Sequence, residues 1–101
     1  NKELFFIINA ITPDIYLSEN NNKKNLRNLY LSNINNIIKF LKKNNIIYLD
    51  FNEFLYENYN KSNIESIFKV TENGYDHYTK KGNQLLSKKI LGLLNDKDLY
   101  N

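Results

Sequence analysis

Apolar residues fall along this chain in two distinct rhythms, and each predicts a different kind of element. Residues 3–10 carry the almost unbroken apolar run Leu4-Phe5-Phe6-Ile7-Ile8. A short run rich in Ile and Phe, apolar at odd and even positions alike, reads as a β-strand buried on both faces. That is the habit of a central parallel strand covered by helices on either side. The strand runs out at Ile11-Thr12-Pro13-Asp14, where the only proline of the chain cannot donate to a sheet ladder. Residues 14–24 are polar and read as a loop or short helical turn. From Leu26 to Lys43 the spacing changes to threes and fours. Leu26, Leu29, Tyr30, Ile34, Ile37, Ile38 and Leu41 make one helical stripe. Lys39, Lys42 and Lys43 favour the negative end of the helix dipole, and Asn44-Asn45 stops the helix.

Residues 46–50, Ile46-Ile47-Tyr48-Leu49-Asp50, return to the strand pattern and close on a carboxylate. Phe51 to Tyr59 reads as a short helix with Asp50 or Asn52 as its cap. Carboxylates at the ends of parallel strands often lie near a ligand crevice, but capping is the stronger reading for Asp50. Residues 60–71 read as irregular, anchored by Ile64, Ile67 and Phe68. Thr79 is placed to cap a last helix running to about Leu94, with Leu85, Leu86, Ile90, Leu93 and Leu94 as its buried stripe. Gly82 lies in its first turn, where a missing side chain allows a neighbouring loop to approach. Strand, helix, strand, helix, loop, helix is an α/β order and implies a parallel pair joined by a right-handed crossover. Two or three strands are too few for an independent sheet of this kind, so the edges call for partners.

Composition narrows the picture further. At 101 residues the chain is at most one domain, and 42% hydrophobic with 25% charged residues is ordinary for a globular one. The net charge of +3 is spread along helix faces, whereas a nucleic-acid interface calls for a dense basic stripe on a docking element. About a fifth of the residues are Asn, which reads as AT-rich coding bias. Stretches such as Asn20-Asn21-Asn22-Lys23-Lys24 then read as solvated loop. Without cysteine there is no disulfide, thiolate metal site or cysteine nucleophile in this chain, and a single histidine argues against zinc. No apolar run approaches the roughly 18 residues that span a bilayer. The chain contains no methionine and opens on a buried-looking strand, so it reads as the C-terminal part of a larger protein.

The candidate chemistry lies in Gly74-Tyr75-Asp76-His77-Tyr78-Thr79-Lys80-Lys81-Gly82-Asn83, which holds the only histidine. An imidazole beside a carboxylate, on an ordered turn before a helix, suits a general base. The pattern His-aromatic-Thr-x-x-Gly followed by an amphipathic helix resembles the last conserved block of the SGNH (GDSL-type) hydrolases. Upstream, Phe5 through Pro13 resembles that family's strand and proline loop, Asn25 through Lys43 its long helix, and Ile47-Tyr48-Leu49-Asp50 its next strand. The ordered set covers most of residues 4–94.

The resemblance implies the C-terminal part of a flavodoxin-like three-layer α/β/α domain with a parallel sheet. Residues 1–101 would then be the C-terminal half of one such domain, and the N-terminal half would be its partner. It also implies an esterase-type hydrolase or O-acyltransferase acting on an acylated carbohydrate or lipid, with no cofactor and no metal. His77 would take the proton of a serine lying outside this chain. The family's Gly-Asp-Ser and Gly-x-Asn-Asp blocks are absent, and Ser18, Ser32 and Ser87 lack the context of a nucleophile. The family places its triad acid two or three residues before the histidine, at Tyr75 and Gly74 here, whereas the carboxylate is Asp76. Asp76 as orienting acid therefore competes with a Ser–His dyad held by a backbone carbonyl, and Glu72 comes after both. Tyr75 and Tyr78 could stack on a sugar, but packing is the commoner role for such rings. Two other readings share the element order: a non-catalytic α/β binding module with a degenerate Asp–His pair, and a receiver-like domain, which the absence of a Gly-rich phosphate loop disfavours.

Overall fold

The computed structural model describes residues 4–96. They form β1 (Phe5–Ile8), α1 (Pro13–Tyr16), α2 (Asn21–Lys43), β2 (Ile47–Asp50) and α3 (Phe51–Asn58). A 3₁₀ turn (Ile64–Ser66), β3 (Phe68–Thr71), β4 (Gly74–Tyr78) and α4 (Lys80–Asp96) complete the order. The protein is mixed α/β. β1 and β2 pair in parallel, Phe5 opposite Ile47 through Ile8 opposite Asp50, with α2 as the connection. β3 and β4 form a separate antiparallel hairpin.

Local chemistry explains where the helices begin and end. Asn20 caps α2 by accepting from the amides of Asn22 and Lys23, so the helix starts well before the apolar stripe does. At the other end Asn45 takes a left-handed φ of 55°. The Asn45 amide donates to the Lys42 carbonyl and the Ile46 amide to the Leu41 carbonyl, which is the Schellman arrangement. Asn is among the few non-glycine residues that enter this region readily. Within residues 14–24, expected to be loop or a short helical turn, the chain forms most of α1 and the first turn of α2.

The stripe expected on α2 divides in two. Leu41 is buried and Ile34 and Ile38 are half-buried, whereas Leu26, Leu29, Tyr30 and Ile37 are exposed, Leu29 by 57%; Phe40, which lies outside that stripe, is exposed by 60%. An apolar arc this wide suits a helix with neighbours on two sides, and only one side is covered among the described residues. β1 has the same character. Phe6 and Ile7 point to opposite faces of the strand and both are exposed. The edge of β1 away from β2 carries no partner strand among the described residues.

The core lies instead around α3 and the hairpin. Phe51, Leu55, Ile64 and Ile67 are fully buried and Phe68 nearly so. Burial of this kind contributes about 1.5–3 kcal/mol per large apolar side chain. The expected anchors Ile64, Ile67 and Phe68 are therefore in place, but Phe68–Thr71 is a strand and not irregular chain. Thr79 caps α4 as expected, its hydroxyl accepting from the Gly82 amide at 3.0 Å and donating to the Ser66 carbonyl at 2.6 Å. Gly82 is buried, and a Cβ there would collide with the Ile67 carbonyl oxygen. α4 packs by this contact directly on the chain entering β3.

Candidate functional site

His77 stands on β4, in the second strand of the hairpin, and not on the turn that its flanking sequence suggested. The turn comes earlier. Thr71 Oγ1 accepts from the Asn73 amide and donates to the Gly74 carbonyl, and Gly74 takes φ +112°, a conformation other residues adopt only with strain. The sequence hid this strand because its sole apolar anchors, Tyr75 and Tyr78, are out of step with a two-residue period. A shift of register between Phe68 and Val70 breaks the alternation further.

β4 is held against the segment that follows β1. The Tyr78 hydroxyl accepts from the Ala10 amide at 3.2 Å, while its ring lies tilted on Phe68 and edge-on to Phe51. Burial pushes the Tyr78 phenol above its ordinary range, and the Ala10 amide, which favours the phenolate, pulls the other way. With its ring against Phe68 and Phe51 and its hydroxyl engaged, the half-buried Tyr78 serves packing.

The loop after β1 is fastened by two further side chains on α3. Asn52, buried to 2% exposure, accepts from the Ile11 amide at 2.5 Å and donates to the Asn9 carbonyl at 3.0 Å. Tyr56, one helical turn on, donates to the Ile11 carbonyl and stacks its ring on Tyr16 at 3.8 Å between centroids. Burial, then the neighbouring Tyr78, Tyr16 and Asp14, drive the Tyr56 phenol far above its ordinary range. Asp50 caps α3 as its position suggested, accepting from the Asn52 amide at 3.0 Å and the Asn52 carboxamide at 3.3 Å. Asn52 and Tyr56 do not stand out in the sequence, since asparagine and tyrosine are abundant throughout. The available signal was a polar pair at i and i+4 flanking the apolar Leu55 on a short helix.

The result is a shallow depression lined by Asn9 and Ala10 after β1, Asp76, His77 and Tyr78 of β4, and Asn83 of α4. It lies beyond the C-terminal end of β1, where ligands bind in open parallel sheets. The His77 side chain is 93% exposed there, and its Nε2 lies 3.5 Å from Asp76 Oδ1. That distance exceeds a normal N–H···O bond, and solvent screens a pair so exposed. Between Tyr75 and Tyr78 the hairpin gives β4 one residue more than β3, so the alternation of faces fails at Asp76–His77, and both side chains are exposed. Glu72 is exposed in the hairpin turn and makes no ion pair with His77 among the described residues. A second concavity follows the open edge of β2 between α3 and α4, with Tyr48, Glu53, Phe54 and Lys89 in its wall, and contains no histidine.

Among the described residues no cluster of three or more His, Asp or Glu could hold a metal ion. No helix of these residues is long and apolar enough to cross a membrane. Compared with known proteins, the chain matches no family model, no curated protein and no solved structure.

Proposed function

We propose that the chain is the C-terminal half of a three-layer α/β/α domain of the SGNH type, serving an esterase or O-acyltransferase. The observation that carries this reading is the exposed imidazole of His77 in a depression beyond the C-terminal end of β1. The open edge of β1 and the bare apolar faces of β1 and α2 support the first part of it. Those surfaces have the chemistry of a sheet interior and would receive the further strands and helix of the N-terminal half.

In the proposed reaction a serine supplied by that half attacks an acyl carbonyl. His77 Nε2 takes the hydroxyl proton and later returns it to the leaving alcohol. The acyl-enzyme then passes to water in a hydrolase, or to a sugar hydroxyl in a transferase. Asp76 is the candidate for holding the imidazole, and in that role it would bond Nδ1–H.

A second reading, a non-catalytic α/β binding module, is favoured by one specific observation. Asp76 lies against Nε2, the nitrogen that must face the serine, and stands beyond hydrogen-bond range.

Substitution separates the two. In the ester hydrolase, His77→Ala lowers turnover of a small aryl acetate by several orders of magnitude, because an unassisted serine hydroxyl is a poor nucleophile. Asp76→Asn costs nearly as much if Asp76 completes a triad, and far less if a backbone carbonyl holds the ring. Unchanged turnover by a folded His77→Ala protein would sink the hydrolase reading and leave the binding module.

A further inference from the structure

We infer that Asp14 is a positioning residue for His77, which deepens the hydrolase reading and rests on it. Asp14 lies in the first turn of α1 and accepts from the Tyr75 amide through Oδ2 at 2.8 Å. Both of its carboxylate oxygens stand 2.7 Å from the place a Cβ on Gly74 would occupy. The carboxylate thus seats against β4 only because residue 74 is glycine, and the left-handed φ there, +112°, independently disfavours any other residue.

The second tether is the Tyr78 hydroxyl on the Ala10 amide. The two tethers grip β4 on either side of the Asp76–His77 dipeptide, at Tyr75 and at Tyr78, and both originate in the segment following β1. They cross 61 and 68 residues of sequence. Between them the His77 side chain is 93% exposed, so packing of its own does little to fix where the imidazole stands. The backbone grip sets the position of the His77 Cα, and so the reach of the imidazole, relative to the loop after β1. General-base catalysis needs that placement, since an error of about 1 Å in a reacting group costs on the order of a hundredfold in rate.

The test uses the complete protein with an aryl acetate, comparing Asp14→Ala, Asp14→Asn and Gly74→Ala. Asp14→Ala should lower kcat at least about tenfold while KM stays within about twofold, because the chemical step and not ground-state binding depends on imidazole placement. Hydrogen exchange at the Tyr75 amide should quicken in the same variant. Asp14→Asn, whose side-chain carbonyl still accepts from that amide, should recover most of the rate. Gly74→Ala should imitate Asp14→Ala by pushing the carboxylate away. A folded Asp14→Ala protein with wild-type kcat would overturn the positioning role, as would a loss no larger than the unfolded fraction measured by melting. Failure of the underlying reading shows separately, as full turnover by His77→Ala.

Discussion

Replacing Asn52 by Leu would remove the polar latch on the loop after β1 while keeping the side chain's size and branching. Three side-chain hydrogen bonds vanish: from the Ile11 amide, to the Asn9 carbonyl and to Asp50. Their costs are unequal. Ile11 is buried, and its amide has no other acceptor among the described residues, so stranding it costs about 1–3 kcal/mol. Asn9 is exposed, so water can replace the lost donor at its carbonyl, and the long contact to Asp50 carries little; together these cost about 1 kcal/mol. The isobutyl group returns about 1 kcal/mol by placing apolar surface where the carboxamide was. The net loss is about 2 kcal/mol, equivalent to a fall of roughly 8–16 °C in Tm for a domain of this size. Thermal melting of the Asn52→Leu protein measures it, and hydrogen exchange at the Ile11 amide locates it. A Tm equal to the parent's, with the Ile11 amide still slow to exchange, would refute the latch.

Two glycines of α4 should respond in opposite directions. Gly82→Ala drives a methyl into the Ile67 carbonyl and should destabilise by at least about 2 kcal/mol, whereas Gly92→Ala meets open space and should stabilise by up to about 1 kcal/mol; paired chemical melts would compare them. Because the folded state holds the Tyr56 proton more tightly than the unfolded chain, that stabilisation is complete below about pH 10 and is lost as pH rises above it. Tyr56 should therefore ionise only on alkaline unfolding, so the phenolate absorbance lost in Tyr56→Phe should belong to that cooperative step, and a difference spread gradually over ordinary phenol pH would contradict its burial. The isolated 101-residue chain should self-associate through Leu29, Ile37 and Phe40 on α2, and Leu29→Ser with Phe40→Ser should shift sedimentation toward the monomer. Monomeric parent protein at high concentration would count against bare surfaces of this kind.

Local pattern was enough to locate the strands Phe5–Ile8 and Ile47–Asp50, the long helix and the last helix. Each is written in residues that need only their near neighbours to be understood. The capping roles of Asp50 and Thr79 and the close approach at Gly82 were legible for the same reason. What pattern could not supply was which apolar residues have something to pack against. The α2 stripe is continuous in sequence, yet Leu41 is buried and Leu29 exposed, because burial depends on what lies across the gap and not on the helix alone. The hairpin around His77 escaped notice because cross-strand pairing, and not periodicity, makes Phe68–Thr71 and Gly74–Tyr78 strands.

The site divides along the same line. The sequence by itself singled out His77 and its neighbouring carboxylate as the one acid–base pair worth weighing. Only the tertiary structure placed that pair beside the end of β1, turned Asp76 toward Nε2, joined Ala10 and Asp14 to the hairpin, and joined Asn52 and Tyr56 to the loop after β1. These contacts span some forty to seventy residues of chain. A hydrogen bond made at that separation leaves no trace in local spacing, since the fold and not the sequence interval brings donor and acceptor within about 3.2 Å of each other.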